Sequence, residues 1–329
     1  MMPTFGEYSE TALRRLDLLL LEAAKRNIRV IITLSNYWKF LGGMQKWVDA
    51  AYGGGLPMEL FYTDEFLRNA YKQFASTIIQ RRNTLTGLSY TEDPTIFAYE
   101  LANEPRTSHG YDALIGRRPG ATICDWVAEM SAFVRSLDSN HLVTVGDEGM
   151  RADVPTRPGD ERAWLNDGHE GADFICNLQY ADVATTHIYP DSWGFGPTEY
   201  QWLGPNYLKD RRDIAWAQNK PIILEEYGMR RGYLQGRDEY VLDSKARSFD
   251  PSIAHRTPGL DRMSRLAHSF AHSPGTSLGS MTRSTVLDIR GHSSGQSHTS
   301  PGRTMNTHTM ATMTGRGTFS ASLARTLTV

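Results

Sequence analysis

The sequence predicts an α/β fold, a parallel sheet buried beneath helices, and three observations carry that prediction. Five apolar runs rich in β-branched residues recur between residues 28 and 228, and amphipathic helical patterns fill the gaps between them. The runs also lack the strict polar/apolar alternation of a sheet with one wet face, as strands buried on both faces do.

The elements follow in order. "SETALRRLDLLLLEAAKR" (9–26) reads as a helix with Ser9 as its N-cap and Leu13, Leu16 and Leu20 along one face. "IRVIITLSN" (28–36) is the first strand. "AYGGGLP" (51–57) is Gly-rich but opens no helix against a strand, so it reads as a flexible loop and not a phosphate cradle. "TDEFLRNAYKQFASTIIQRR" (63–82) is a second helix, with Thr63 as cap and Leu67, Ala70, Phe74 and Ile78 as its apolar stripe. Strands at "TIFAYELANE" (95–104), "LVTVGDEG" (142–149), "VATTHIYP" (183–190) and "PIILEEYG" (221–228) alternate with helices at 121–138 and 206–220.

Composition divides the 329 residues in two. Residues 1–243 hold 25 Lys+Arg against 34 Asp+Glu, whereas residues 244–329 hold 10 against 3. All seven tryptophans precede residue 217, and beyond Tyr240 the only aromatics are Phe249, Phe270 and Phe319. A segment so poor in large apolar residues cannot offset its ordering entropy. Residues 1–240 are therefore expected to form the folded domain and 241–329 a low-complexity, disordered basic tail.

Several function classes find no support. There is no GxGxxG after the first strand and no GxxxxGK[ST], and the acidic body shows no basic patch interleaved with aromatics, which argues against nucleotide and nucleic-acid binding. Cys124 and Cys176 match no zinc spacing, so no metal is expected; they form either one disulfide or two free thiols. No run reaches the roughly 18 apolar residues of a membrane span, and the start, "MMPTFGEYSE", lacks the pattern of a signal peptide.

Polar residues gather at the strands' C-terminal ends, where α/β folds place their ligand sites: Asn36, Asn103, Glu104, Glu148, His187, Tyr189 and Glu226. Two carboxylates from different strands, in a cleft lined by rings such as Trp38, Tyr189 and Trp193, are what glycoside hydrolysis needs. One protonates the leaving oxygen; the other attacks the anomeric carbon or activates water. In "FAYELANEPR" (97–106) strand direction puts Glu104 at the rim and Glu100 deeper, as a buried partner in the interior.

"NEP" closing one strand, "HIYPDSWG" closing a later one and "KPIILEEYG" after that, with "NYW" and "GDEG" before and between, resemble glycoside hydrolase family 5, and specifically its endo-β-1,4-mannanase branch. The resemblance runs from about residue 5 to about residue 235. It implies a (β/α)8 barrel, a β-mannan substrate, a monomer, secretion, and no metal or organic cofactor. Glu104 takes the place of the general acid/base, which requires a raised pKa, and Glu226 that of the nucleophile, kept ionised by the Tyr189 hydroxyl. Asn103 would bind the sugar 2-hydroxyl, with His187 helping to hold the site. Arg106, Glu148, Trp38 and Trp193 fall at sugar-contacting positions, although Arg106 could equally be a salt-bridged structural residue and Asp147 competes with Glu148. A β-glucanase of the same family and an inactive remnant are the alternatives.

Only five strands are recognisable. The resemblance implies two more before residue 5, with an active-site Arg, and an eighth carrying a Trp after "EEYG", where the composition switches as a shifted reading frame or wrong exon join would make it. Barrel strands 1, 2 and 8 are thus not recognisable, and a chain truncated in this way is expected to expose sheet edges and fold poorly.

Overall fold

Five strands form where the apolar runs lie, each shorter than its run: β1 (Val30–Thr33), β2 (Ile96–Glu100), β3 (Leu142–Thr144), β4 (Ala184–Ile188) and β5 (Ile222–Tyr227). The computed structural model describes residues 6–39, 42–108, 110–153, 171–190, 192–195 and 197–228. The tail expected at 241–329 lies outside the described residues. Eight helices accompany the strands among those residues: α1 (Glu10–Lys25), α2 (Met44–Tyr52), α3 (Leu60–Thr63), α4 (Glu65–Ile79), α5 (Tyr111–Leu114), α6 (Ala121–Leu137), α7 (Phe174–Leu178) and α8 (Pro197–Ala217).

All strand pairs are parallel, in two ladders ordered β1-β2-β3 and β4-β5. The ladders meet along β3 and β4. There the Asp182 N–H donates to the Val143 carbonyl (2.8 Å), the Thr144 hydroxyl to the Val183 carbonyl (3.0 Å) and the His187 N–H to the Glu148 carbonyl (3.0 Å). Spatial order therefore follows chain order, as in a barrel wall. Among the described residues the wall does not close.

Both sheet faces are buried, as the unbroken apolar runs require. Val30, Ile32, Tyr99, Val143, Ile222 and Leu224 join the helices in the main core, while Ile31, Ala98, Val183 and Ile223, with Phe97 beside them, form a second apolar layer. Toward the strands' C-terminal ends the buried residues turn polar at Thr33, Glu100, Thr185, His187 and Glu225. A site for chemistry thus sits on an apolar plug.

The helices dock through their apolar stripes and a few buried ionic contacts. Ser9 caps α1 by accepting from the Ala12 N–H, and Leu13, Leu16 and Leu20 are buried as expected. Asp17 on the same helix accepts from the Arg81 guanidinium (2.7 and 2.8 Å) and the Tyr90 hydroxyl (2.7 Å), clamping α1 to the segment before β2. Burial raises that carboxyl, but the bonds from Arg81, Thr84 and Tyr90 outweigh it and hold the pKa at about 2. Trp126 of α6 is buried against Phe61, Tyr62 and Tyr71 at ring distances of 5.2–5.7 Å. A disulfide between Cys124 and Cys176, with Cα atoms 5.9 Å apart, ties α6 to α7 and resolves the choice between a bridge and two thiols.

The structure corrects four local readings. Asp64, not Thr63, caps α4 by accepting from the Leu67 N–H at 2.9 Å; Thr63 instead ends α3, its hydroxyl donating to the Glu59 carbonyl. The α4 stripe uses Tyr71 where Ala70 was expected, Ala70 being only partly buried. Ala51 and Tyr52 belong to α2, which Gly53 caps, so the Gly-rich loop starts two residues later than read. Helix α8 starts at Pro197 and runs through Pro205, nine residues before the expected start at 206.

Candidate active site

Beyond β2 the chain stays in register with both neighbours. The Leu101 and Ala102 N–H groups donate to the Thr144 and Val145 carbonyls, Asn103 N–H to Ser35, and Glu104 N–H to Gly146 (2.8 Å). This close approach needs a glycine at 146, since a Cβ there would lie 2.2 Å from the Ala102 carbonyl oxygen. Glu104 itself adopts a left-handed backbone (φ 48°). For a non-glycine residue that costs on the order of 1–3 kcal/mol, a strain typical of functional positions.

Glu104 is 6 % exposed and held by two side chains. His187 Nδ1 lies 2.8 Å from Oε1, and the Trp38 indole N–H donates to Oε2 at 2.5 Å. Burial raises the Glu104 pKa, but the His187 and Trp38 bonds and the nearby Arg106 charge win, so the carboxyl sits below its usual range. The raised value expected from burial and a neighbouring carboxylate is therefore corrected: a cation in contact outweighs both. His187 mirrors this shift. Burial lowers its pKa, yet hydrogen bonds to Glu104 and Glu225 and the charge of Glu226 raise it well above the usual histidine value.

On the other side, a register shift in the β4–β5 ladder brings two adjacent glutamates inward. Thr186 pairs with Leu224 and His187 with Glu226, so Glu225 is the extra residue of a bulge. Without it, Glu225 and Glu226 would point to opposite faces. The Tyr189 hydroxyl donates to Glu226 Oε2 at 2.9 Å, as expected. Gly228 makes room for that ring; a Cβ there would meet Tyr189 Cε1 at 2.3 Å. Burial foremost, and the Glu104 charge, raise the Glu226 pKa despite His187 and Tyr189.

A carboxylate oxygen of Glu104, an imidazole nitrogen of His187 and a carboxylate oxygen of Glu226 all lie within 4.8 Å of one another. His187 and Tyr189 already engage these carboxylates, so the trio is assigned no metal. A family model described as GH family 5 beta-mannosidase-like matches residues 1–256. The chain belongs to this family. Mannan endo-1,4-beta-mannosidase 1 of Arabidopsis thaliana is 38% identical over 243 residues, covering 69% of this chain and 55% of the relative. Mannan endo-1,4-beta-mannosidase A of Podospora anserina is 39% identical over 240 residues, covering 70% and 57%. Among solved structures, an endo-beta-1,4-mannanase from Thermotoga petrophila superposes with a TM-score of 0.63 at 37% identity, covering 70% of this chain and 50% of that one. A second mannanase structure from the same organism gives 0.66 at 34%, covering 75% and 70%. The chain spans little more than half the length of the curated relatives it matches.

The remaining positions of this family 5 chain fall into two groups. Asn36 and Asn103 meet in a parallel bridge, and the Asn36 Oδ1 accepts from the Asn103 amide (3.3 Å) and the Trp38 N–H (3.1 Å). Arg106 forms a two-pronged ion pair with Glu148 (2.6 and 2.7 Å) and stacks over the Trp38 ring at 5.2 Å. Burial and the Glu104 charge raise the Glu148 pKa to about 7 against the pull of Arg106. Asp147, the competing acid, is buried and accepts from Asn177 (2.6 Å) and the Gly149 N–H (2.8 Å), which leaves Glu148 as the acid at the site. Trp193 departs from expectation. Only 6% exposed, it packs on Tyr207 at 5.3 Å and does not present a face for a sugar, while Trp38 keeps 38% of its surface open. The residue sequence reasoning missed is Glu225, whose signal was the doubled glutamate in "EEYG".

Proposed function

We propose that the chain carries the catalytic centre of a retaining endo-β-1,4-mannanase, with Glu104 as acid/base and Glu226 as nucleophile. The observation that carries this reading is the short separation of the two carboxylates across parallel strand ends. Oxygens within 4.8 Å suit the carboxyl spacing of about 5–5.5 Å used by retaining enzymes, and fall short of the roughly 6.5–9.5 Å that leaves room for a water in inverting ones.

In the first displacement a Glu226 oxygen bonds to the anomeric carbon as the glycosidic C–O bond breaks, and Glu104 delivers a proton to the departing oxygen. In the second, Glu104 takes a proton from water, the water oxygen bonds to the anomeric carbon, and the Glu226 ester bond breaks. The contact between Glu104 Oε1 and His187 Nδ1 holds one proton. As charge builds on the leaving oxygen, that proton passes from Nδ1 through Glu104, so a low pKa on Glu104 alone does not deny it the acid role.

Asn103 fits a hydrogen bond to the 2-hydroxyl, and Trp38 a stacking platform whose ring Arg106 and Glu148 hold in place. The disulfide supports an oxidising compartment, consistent with secretion. A β-mannan is the proposed partner, acted on by a monomer that uses no cofactor and binds neither nucleic acid nor membrane.

The test is hydrolysis by the purified 329-residue chain. Galactomannan is expected to be cut faster than carboxymethylcellulose, with proton NMR showing the β-anomer first among the products. A chain that melts cooperatively yet cuts neither polymer overturns the reading; faster cutting of the cellulose derivative moves it to the β-glucanases.

A further inference from the structure

Below the two site glutamates lies a second carboxyl pair that the proposed chemistry does not use. Glu100 of β2 and Glu225 of β5 are both buried in the sheet interior. Each has one oxygen with a partner: the Thr33 hydroxyl donates to Glu100 Oε1 at 3.1 Å, and His187 Nε2 lies 3.5 Å from Glu225 Oε2. The other oxygens, Glu100 Oε2 and Glu225 Oε1, are fully buried with no donor among the described residues. Glu225 is close enough for its charge to act on Glu100. Two buried carboxyls this close resist double ionisation at low dielectric. Burial first, then the Glu225 charge, push the Glu100 carboxyl well above the usual carboxylate range.

We propose that Glu100 and Glu225 are a positioning pair: the Glu100 O–H donates to Glu225 Oε1, and the one negative charge left on Glu225 keeps His187 an imidazolium that donates to Glu104. The bulge that aims Glu226 at the site is the same feature that supplies Glu225 to His187. Other titratable groups face this line of contacts. Tyr71 feels Glu100, and Glu104, Glu226, Glu148 and Asp147 all feel His187. Of these, only Glu104 shares a hydrogen bond with the imidazole.

The catalytic part of this inference rests on Glu104 being the acid/base; the proton pair does not, so two spectroscopic readouts come first. In the infrared, a protonated carboxyl band should persist at about pH 8 and vanish in Glu100→Gln, because burial and a like charge hold that proton. With labelled histidine, His187 should remain doubly protonated at about pH 8 in the wild type and in Glu100→Gln, whose amide still donates, but titrate below that in Glu225→Gln. Absence of the band, or a His187 unmoved by Glu225→Gln, overturns the proposal whether or not mannan is cut. If mannan is cut, Glu100→Gln should keep kcat within about twofold, whereas Glu225→Gln should lower kcat roughly tenfold or more with little change in KM. Its basic pH limb should also move to lower pH. Equal losses in the two variants overturn the positioning role.

Discussion

Glu104 and Glu226 are the same residue at matching ends of parallel strands, yet their surroundings push them in opposite directions. Glu104 grows out of the middle of the described wall, in a left-handed backbone, gripped by an imidazole and an indole N–H. Glu226 sits on the outermost described strand, partly buried, with one hydroxyl donor. Burial works against the charge on both; only on Glu104 do the partners overcome it. The contrast shows that the partners around each carboxyl, and not burial alone, set the direction in which it is pushed. On the proposed reading, the proton that an acid/base needs is stored next to Glu104, on His187.

The largest effect expected from breaking that contrast comes from removing the carboxylates themselves. Glu226→Gln and Glu104→Gln should each lower kcat on galactomannan by roughly a thousandfold or more, since the first removes the proposed nucleophile and the second the proposed proton donor. The two should part on a substrate with an acidic aryl leaving group, which needs no proton. Glu104→Ala should then keep its first step and regain turnover with azide, a nucleophile that needs no base, while Glu226→Gln should stay inactive. Equal azide rescue of both variants would exchange or abolish the assigned roles.

Next in size is the single donor to Glu226. Tyr189→Phe removes a hydrogen bond to an ionised acceptor, an interaction of about 1.5–3 kcal/mol, so kcat/KM should fall roughly 10- to 100-fold. The sign of the pH effect follows from which form the hydroxyl favours. It stabilises the carboxylate, so its loss raises the Glu226 pKa further, and the acidic limb of the kcat/KM profile should move to higher pH. An unmoved acidic limb would mean that Glu226 is not the group titrating there.

How far the sequence foretold this site depends on how local each signal was. The two glutamates, Asn103, His187 and Tyr189 lie at strand ends, and strand ends are readable because the apolar runs stop there; the structure brings the glutamates, His187 and Tyr189 together, with the Asn103 amide on Asn36. The Tyr189 hydrogen bond also formed as expected. What could not be read required knowing partners far apart in the chain. The direction of the Glu104 shift is set by His187, 83 positions away, and the Glu148 ion pair by Arg106, 42 positions away. The inward turn of Glu225 depends on one residue of register slip, which no alternation pattern records. Trp193 shows a different limit, because a tryptophan that packs a core and one that stacks on a sugar look alike in sequence. Among the helices, Pro205 hid the start of α8, since proline inside a helix normally marks its end. Thr63 and Asp64 are adjacent good caps, and only the geometry selects the acid.

The smallest expected effect tests the second donor to Glu104. Trp38→Phe keeps an aromatic face for stacking, and for Arg106 to cover, but removes the indole N–H that points at Oε2. Losing a donor to the ionised form should raise the Glu104 pKa, so the basic limb should move to higher pH, by less than about one unit because the imidazolium remains. Activity near the optimum should fall by no more than roughly threefold, because the indole bond favours the ionised Glu104 that precedes proton transfer and the imidazole contact is kept. Against Tyr189→Phe the pair makes a matched comparison: one donor removed from each glutamate, with opposite limbs moving. A larger loss in Trp38→Phe than in Tyr189→Phe would make the indole, not His187, the group that governs Glu104, and the division between a proton-storing side and a bare nucleophile side would have to be redrawn.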